Sequence, residues 1–385
     1  MKYRKFGKLD WNASVLGFGA MRLPIIDNQP SKIDVPEAER MIRYAIDQGV
    51  NYIDTAYPYH EGQSERCVGR ILGDGYRERV RIATKQPTWF ISSSSDFDRY
   101  LDEQLKHLQT DYIDFYLLHG LNKEYWTKLH NMGVLPWAEG AIADGRIQHL
   151  GFSFHDNYEA FIEIVDSYDN WTFCQIQYNF MDINYQAGTK GLEYAAQKGL
   201  AIVIMEPLRG GQLTKKPPEV ITKLWANDPN PHTQADIALQ WVWNHSEVSV
   251  VLSGMTTMQQ VEENIISADR SGPDTLTKGE LMLIDKMRDA YLDLCPIPCT
   301  NCRYCMPCPN SVNIPRIFEI YNEAVMYNDP RTGRFFYRGA MGLSEGERAN
   351  NCVECGECEE KCPQDIPIME WLVKAHALLG PKKKE

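Results

Sequence analysis

The sequence predicts an α/β protein in which a parallel (β/α)8 barrel, or TIM barrel, is followed by a small, mostly helical domain. Eight short apolar segments recur over the first ~290 residues, and most of them are separated by helical patterns. The composition then changes, because nine of the eleven cysteines lie between Cys295 and Cys362. We therefore predict a barrel domain over residues 1–290 and a second domain over residues 291–385.

The eight apolar segments are predicted to be parallel strands, because each is a nearly continuous apolar run, as expected for strands covered on both faces. They occupy residues 15–18, 52–55, 81–84, 113–118, 147–152, 173–177, 201–205 and 248–252. An open, doubly wound sheet is the alternative. It would carry a GxGxxG motif after the first strand, whereas GFGAM has two of the three glycines, so the barrel is favoured.

The helices between the strands are predicted from apolar periodicity and end signals. Residues 36–47 begin with proline and are followed by Gly49, as helices prefer. In residues 98–108, apolar side chains recur at helical spacing. The other helices predicted in the barrel occupy residues 158–167, 188–197, 233–244 and 258–268.

Charge and composition limit the class of protein. The formal net charge is −12, and lysine or arginine clusters only at residues 382–384, which argues against a nucleic-acid partner. The first residues lack the apolar core of a signal peptide, and no apolar run is long enough to span a membrane. We therefore expect a cytoplasmic protein. Disulfides do not persist there, so closely spaced cysteines indicate metal binding.

Four ionisable side chains follow three neighbouring predicted strands. Asp54 ends the second strand, Tyr59 comes five residues later, Lys85 ends the third strand and His119 the fourth. The carboxyl ends of barrel strands form one mouth, so these side chains should converge there. A lysine charge lowers the pKa of a nearby tyrosine, and a histidine can donate a hydrogen bond to a substrate carbonyl oxygen. This set suits protonation of a carbonyl oxygen during its reduction.

Six motifs extend this interpretation. NYIDTAYPY, IATK, DFYLLHG, LGFSF, QIQYN and SGMTTMQQVEEN resemble, in order and spacing, those of the aldo-keto reductases over about residues 1–290. The resemblance implies that Asp54, Tyr59, Lys85 and His119 are a catalytic tetrad with Tyr59 as general acid. It also implies NADP(H), or NAD(H), bound across the barrel mouth, and an aldehyde or ketone as substrate.

The resemblance also implies a set of cofactor-binding residues. They are Gly19, Met21, Ser153, Gln175, Met205, Leu208, Gly210, Gly254, Gln260, Glu263 and Asn264. Some positions depart from the family pattern: Phe154 and then His155 follow Ser153, and Met205 stands where tyrosine often stacks on the nicotinamide. Many members hold the 2′-phosphate with Lys or Arg where this chain has Gly254 and Gln260. The choice between NADPH and NADH is therefore open, with Arg209 and Arg270 as other candidate cations.

The second domain contains two dense cysteine runs, CTNCRYCMPC and CVECGECEEKCP. Two CxxC pairs can bind zinc, which is the alternative, but zinc sites separate their pairs by a longer span. Four cysteines within ten or eleven residues are typical of [4Fe–4S] ligation. Helical patterns at residues 315–326 and 368–379 favour the α-helical type of ferredoxin-like domain.

The two runs resemble those of dicluster ferredoxins, in which each cluster takes three cysteines from one run and the last cysteine of the other. The resemblance implies two [4Fe–4S] clusters. Their ligands would be Cys299, Cys302, Cys305 and Cys362 for one, and Cys352, Cys355, Cys358 and Cys308 for the other. Only two residues separate Cys305 from Cys308, where the pattern has three. A single cluster, or Cys295 as a ligand, therefore stays open.

Two functions remain in competition. The first is a carbonyl reductase with clusters that are structural or auxiliary. The second is an electron-transfer protein, whose clusters relay single electrons between a redox partner protein and the barrel. A nicotinamide donates two electrons at once and a cluster carries one, so the first is favoured in a sequence without a flavin motif. Trp89, Trp126 and Trp137 are candidates for lining the substrate site.

Overall fold

A computed structural model describes residues 1–226, 232–299, 303–339, 342–362 and 364–381. The chain forms two compact units. The first comprises residues 1–213 and 232–278, and the second comprises residues 214–231 and 279–385. The domain boundary at residues 290 and 291 remains a prediction. In the part of the chain that the structure describes, no helix is both long and apolar enough to cross a membrane.

The first unit is a closed barrel of eight parallel strands, which confirms the predicted fold. Its strands follow one another in the order β10-β3-β4-β5-β6-β7-β8-β9. Four strands run two or three residues beyond the predicted carboxyl end, because their last residues still pair with a neighbouring strand. The strands are β3 (Leu16–Gly19), β4 (Tyr52–Asp54), β5 (Arg81–Gln86), β6 (Ile113–Leu121), β7 (Ile147–Phe154), β8 (Phe173–Gln177), β9 (Ala201–Met205) and β10 (Val248–Gly254).

A short antiparallel hairpin, β1 (Tyr3–Lys5) and β2 (Asn12–Ser14), closes the end of the barrel opposite the mouth. Phe6 is fully buried, with its ring 4.6 Å from that of Phe115 and 5.6 Å from that of Phe173. The aromatic side chains Phe6, Phe115 and Phe173 fill the barrel interior at this end. Active-site chemistry is therefore confined to the carboxyl ends of the strands.

The predicted barrel helices are present within three residues of their expected ends, and further helices that the periodicity did not indicate join them. Those of the first unit are α1 (Val35–Asp47), α2 (Ser64–Ile71), α3 (Ser95–Leu108), α4 (Lys123–Asn131), α5 (Val134–Ala143), α6 (Tyr158–Asp166), α7 (Gly188–Gln197), α9 (Gln234–Trp243) and α10 (Met258–Arg270). The helix α8 (Glu219–Trp225) belongs to the second unit, although it follows β9 in the chain.

The second unit is helical around its own apolar core. Its other helices are α11 (Lys278–Asp293), α12 (Ile314–Met326), α13 (Pro330–Arg338), α14 (Glu357–Glu360) and α15 (Ile368–Leu379). Ile317, Tyr337 and Leu372 are among the buried residues that join α12, α13 and α15. The Tyr337 hydroxyl lies 2.9 Å from His376 Nδ1 and accepts from the Ala349 amide at 2.9 Å. Six of the described cysteines pack against this core.

Candidate active site and metal centre

Lys85 and Asp54 form a buried ion pair at the mouth of the barrel. The Lys85 side chain is fully buried, and its Nζ donates to the two carboxylate oxygens of Asp54 at 2.8 and 2.7 Å. Nζ also donates to the Thr55 carbonyl oxygen at 2.8 Å and to the Tyr59 hydroxyl at 3.4 Å. Burial alone would lower the pKa of Lys85, but the charge of Asp54 and the hydrogen bonds raise it. Lys85 is therefore positively charged at neutral pH.

Tyr59 differs from the expectation drawn from the sequence. Burial, as the largest cause, raises the pKa of the Tyr59 phenol above its ordinary value, and the charges of Asp54 and Glu206 add to this. Lys85 acts in the opposite direction but does not offset the rise. Lys85 does lower the pKa of Tyr59, as expected, but desolvation of the buried phenol outweighs a lysine charge that Asp54 largely neutralises. Tyr59 therefore carries its proton at neutral pH.

His119 lies beside Tyr59 and is neutral. Its ring centroid is 6.0 Å from that of Tyr59, in an edge-on arrangement, and 4.8 Å from that of Trp89. Burial lowers the pKa of His119 well below its ordinary value, and the charges of Lys85 and His155 lower it further. The Nδ1 atom is buried and has no partner among the described residues. A neutral imidazole with one N–H can donate a hydrogen bond to an oxygen placed beside Tyr59.

Three predicted cofactor residues meet on the opposite side of the mouth. Ser153 and Gln175 are buried, and the register of β7 and β8 pairs them directly. The Ser153 hydroxyl accepts from the Gly120 amide at 2.7 Å, and Gln175 Nε2 lies 3.5 Å from Met205 Sδ. Gln175 Oε1 is buried without a partner among the described residues. An unused amide acceptor at this place fits the NH2 group of a nicotinamide carboxamide.

Arg22 is a cation near the predicted phosphate positions that the sequence did not single out. Barrel closure pairs Gly19 with Gly254, which brings Arg22 against the end of the last strand. A side-chain carbon added at Gly254 would lie 3.2 Å from Arg22 Cδ, and one added at Gly210 would lie 3.5 Å from Arg22 Nη2. Arg22 is exposed and has no carboxylate partner among the described residues. Its guanidinium can therefore reach an anion lying along these glycines.

The two arginines proposed from the sequence are engaged elsewhere. Arg209 Nε lies 3.2 Å from the Asp182 carboxylate, and Arg270 Nη2 lies 2.9 Å from the Asp236 carboxylate. Both carboxylates are buried, so drawing either arginine away would leave a buried carboxylate without that partner. Arg22 is thus a better placed cation than either of them.

The remaining predicted cofactor residues lie near Arg22, in the turn after β9 and at the start of α10. Met21 is half-exposed, and Leu208 precedes Gly210 in the turn after β9. Gln260 Oε1 accepts from the Thr256 amide at 2.7 Å, and Glu263 Oε1 accepts from Gln259 at 2.7 Å. Asn264 is buried and donates to the Ser253 hydroxyl at 3.0 Å. Gln260 and Glu263 are exposed on the first turns of α10, beside the end of β10.

Six described cysteines of the two runs line the apolar core of the second unit. Cys299, Cys305, Cys308, Cys352, Cys358 and Cys362 all pack against it, and Cys355 is exposed. Burial, followed by the charges of neighbours that include Cys352 and Cys305, raises the pKa of Cys358 to about 11. The Glu354 amide donates to Cys352 Sγ at 3.4 Å, a contact of the kind that tunes iron–sulfur clusters.

The ligand assignment remains a prediction. Cys302 lies outside the described residues, and among those described no three metal-type side chains converge on one point. The described cysteines form no disulfide. Thiols from both runs on one apolar core, with an amide donating to sulfur, are a donor set that fits iron–sulfur ligation.

Comparison with known proteins settles the family. The model of the Aldo/keto reductase family matches residues 15–275. The chain belongs to the aldo-keto reductase family. A model of a 4Fe-4S dicluster domain matches residues 298–366. The protein is thus an NAD(P)H-dependent oxidoreductase of the aldo-keto reductase type with a C-terminal 4Fe-4S domain.

Individual relatives agree with this assignment. The L-galactose dehydrogenase of Arabidopsis thaliana is 26% identical over 306 residues, which cover 74% of this chain and 94% of that protein. The holo form of aldo-keto reductase AKR11C1 from Bacillus halodurans is 27% identical with a TM-score of 0.61, over 74% of this chain and 96% of that one. An aldo-keto reductase from Klebsiella pneumoniae in complex with NADPH shares the fold at 24% identity, with a TM-score of 0.57, over 74% and 95% of the two chains.

This aldo-keto reductase has a buried polar network behind Lys85 that was not predicted from the sequence. Glu65 on α2 accepts from the Thr84 hydroxyl and from Gln104 Nε2, both at 2.6 Å. Gln104 Nε2 also lies 3.1 Å from the Lys85 carbonyl oxygen. Glu and Gln in an amphipathic helical pattern resemble solvent-exposed residues, so no local signal marked them. The network clamps the strand segment that presents Lys85.

The three tryptophans that were candidates for lining the substrate site differ in their surroundings. Trp126 packs in the interior against Trp171, at 6.0 Å between ring centroids. Trp137 packs on Phe97 and donates from Nε1 to Asp98 at 3.0 Å. Trp89, which contacts His119, is the one of the three that lies at the mouth.

Proposed function

We propose that this aldo-keto reductase reduces an aldehyde or ketone to the alcohol, with a nicotinamide cofactor as reductant and Tyr59 as general acid. The observation that carries the proposal is the arrangement of Lys85, which donates to the Tyr59 hydroxyl while Asp54 balances its charge. A carbonyl is a small, neutral group, which fits a mouth lined by a neutral tyrosine, a neutral histidine and Trp89.

The chain's own groups account for the proton. When bound, the nicotinamide cofactor supplies the hydride that the carbonyl carbon accepts. Negative charge then develops on the carbonyl oxygen, and Tyr59 transfers its phenolic proton to it. The Lys85 ammonium stabilises the phenolate that remains, so the proton leaves more easily in the transition state than in the resting enzyme. His119 donates to the same oxygen and fixes its position.

Gln175, Ser153 and Arg22 are proposed to hold the cofactor. Gln175 Oε1 has an unused acceptor position beside Ser153, where a carboxamide would orient the nicotinamide ring. Arg22 lies against Gly210 and Gly254, both of which leave room for the backbone to approach a phosphate closely. These residues would hold the cofactor across the mouth, with the nicotinamide carboxamide at Gln175 and a phosphate at Arg22.

Replacing Arg22 by alanine should weaken cofactor binding. Loss of a charged hydrogen bond to phosphate raises the Kd by about 10- to 100-fold. The measurement is titration of nicotinamide fluorescence with NADPH and with NADH. A larger loss for NADPH assigns Arg22 to the 2′-phosphate, and equal losses assign it to the pyrophosphate. R22K should retain part of the affinity, and the exposed R40A on α1 should retain all of it. An unchanged Kd for both cofactors in R22A contradicts the assignment.

We further propose that the second unit holds two [4Fe–4S] clusters on the eight cysteines of the two runs. Cys295 is not needed as a ligand: its Sγ lies 3.9 Å from Met326 Sδ, at the carboxyl end of α12. Cys308 precedes the amino end of the same helix by six residues, in a turn in which its carbonyl oxygen accepts from the Ser311 amide. A helix of thirteen residues separates these two ends by roughly 20 Å.

Anaerobically purified protein should therefore contain ~8 iron and ~8 labile sulfide per chain. C308S and C362S should each lower the iron content, because each removes a ligand of one cluster, whereas C295S should leave it unchanged. The measurement is colorimetric iron and sulfide analysis with electron paramagnetic resonance of the reduced protein. About 4 iron in the unaltered protein indicates a single cluster. Zinc without labile sulfide contradicts the iron–sulfur assignment.

The electron relay is the second candidate, and the exposed surface of the cysteine runs favours it. Tyr304 and Val353, one in each run, expose 65% and 63% of their surface, and Cys355 is exposed beside Val353. A redox partner protein needs such access to a cluster. If the clusters relay electrons, NAD(P)H alone should bleach the cluster absorption under anaerobic conditions. If the protein is a carbonyl reductase, it should instead oxidise NAD(P)H in proportion to the added aldehyde or ketone.

A further inference from the structure

His60 directly follows the proposed general acid and has an unusual backbone conformation. Its φ and ψ are 53° and 42°, and those of Glu61 are 54° and 37°. Residues other than glycine are uncommon in this left-handed region, and they concentrate at functional sites, where the surrounding structure compensates the strain. The His60 side chain is therefore expected to make contacts that hold it in this conformation.

The His60 ring bridges two backbone groups of one distant segment. The Leu23 amide donates to His60 Nε2 at 3.0 Å, and the Pro30 carbonyl oxygen lies 2.8 Å from Nδ1. An amide can only donate and a carbonyl oxygen can only accept, so the ring is neutral and carries its proton on Nδ1. A protonated ring has a hydrogen on both nitrogens. It would lose the Leu23 hydrogen bond and place two N–H groups against each other.

The bridged segment, residues 23–33, lies between β3 and α1. An antiparallel bridge joins its two arms, so the segment folds back on itself. It begins directly after the exposed Arg22. His60 and the start of this segment are thus each one residue away from a proposed functional group, which is Tyr59 on one side and Arg22 on the other.

Burial of the ring determines the direction in which its pKa moves. Burial lowers the pKa of His60 below its ordinary value, and the Pro30 carbonyl opposes the shift, without a contribution from any described charged side chain. The charged side chains on the elements around the ring are Arg22, Asp27, Lys32, Glu61, Glu65 and Arg66. All of them are exposed except Glu65, whose carboxylate accepts from Thr84 and Gln104.

The pH range of the bridge follows from this direction. A histidine released into solvent has a pKa of about 6.5. Since the bridged ring takes up a proton less readily than a released ring, the bridge is fully stable above about pH 6.5 and weakens as the pH falls below that value.

We propose that His60 is a positioning residue whose neutral ring holds Arg22 at the cofactor phosphate and Tyr59 at the substrate oxygen, so that acidification releases both. The proposal rests on the proposed cofactor site and the proposed general acid, and it adds the residue that links them. His60 acts through these two residues and contacts neither cofactor nor substrate. Cofactor affinity and kcat should therefore decrease together in acid.

The test measures the Kd of NADPH or NADH by nicotinamide fluorescence at about pH 7.5 and about pH 5.5. The Kd of the unaltered protein should rise by about three- to tenfold at the lower pH, within the limit of tenfold per pH unit for one proton. H60Q should keep the Kd at the higher pH and lose this rise, because glutamine offers an acceptor and a donor but does not titrate. Titration of the cofactor itself is common to both proteins and cancels in this comparison.

Two further substitutions at the same position separate the bridge from the fold. H60L offers neither hydrogen bond and should bind the cofactor weakly at both pH values. H60G also lacks the bridge, but glycine suits the left-handed backbone, so equally weak binding in H60G assigns the loss to the bridge. Unaltered affinity in H60G would show that the ring has no positioning role.

The control is H155Q, which removes the histidine whose charge acts on His119 and should keep the full pH dependence of the Kd. A rise that survives in H60Q, or one that disappears in H155Q instead, overturns the role of His60 and leaves the carbonyl reduction intact. A protein that binds neither cofactor at either pH overturns both.

Discussion

Replacing Tyr59 by phenylalanine should lower kcat for carbonyl reduction by about 10²- to 10⁴-fold, the range expected for loss of a general acid. The ring remains and continues to fill its place beside His119, so cofactor binding should not change. Steady-state kinetics with a turned-over aldehyde, together with fluorescence titration of NADPH, separates the two effects. The deficit should be in kcat and not in the Kd of the cofactor.

Tyr57 provides a matched control two residues earlier. Its hydroxyl donates to Glu103 at 2.8 Å, so Y57F removes a phenol that takes no part in the reaction. This variant should keep its kcat within about twofold. The pKa of Tyr59 is raised above its ordinary value of about 10, so Tyr59 stays protonated up to about that pH. The kcat for carbonyl reduction should therefore not change between neutral pH and about pH 10.

A loss of less than tenfold in kcat in Y59F contradicts the assignment of Tyr59 as the general acid.

Replacing Lys85 by methionine should have two large effects. It leaves the Asp54 carboxylate buried without a counter-charge, which should lower the free energy of unfolding of the barrel by about 3–5 kcal/mol. It also removes the cation that stabilises the Tyr59 phenolate. Urea denaturation of anaerobic protein measures the first effect, and kcat measures the second.

The double variant D54N/K85M separates stability from catalysis. With both charges removed, no uncompensated carboxylate remains, so most of the lost stability should return. The activity should not return, because the ammonium is still missing. Because Lys85 acts through Tyr59, Y59F/K85M should be no slower than Y59F alone. A double variant that recovers activity together with stability would show that the ion pair only supports the fold.

The barrel and the grouping of the four ionisable side chains at its mouth were predictable because their signals are local. Each strand is a short apolar run, and parallel topology brings the carboxyl ends together, so Asp54, Lys85 and His119 had to meet. The direction of the Tyr59 pKa was not predictable. It depends on how completely the mouth desolvates the phenol, and no spacing in the sequence reports that.

Other features depend on contacts between distant parts of the chain. Arg22 lies near Gly210 and Gly254 because the last strand closes on the first, pairing Gly254 with Gly19. Glu65 and Gln104 lie on two different helices and meet only behind β5. The helix α8 packs with residues beyond 279, although its position in the chain suggests a barrel helix. The local amino-acid composition indicates none of these long-range contacts.

Transfer of deuterium from the cofactor to the product tests the central claim most directly. The protein is incubated anaerobically with NADPH deuterated at the reactive carbon of the nicotinamide and with a turned-over aldehyde, and the alcohol is analysed by mass spectrometry. Direct reduction at the barrel mouth predicts one deuterium on the former carbonyl carbon for each NADPH oxidised. An alcohol without deuterium would contradict it, because electrons relayed singly through the clusters would be accompanied by protons from water.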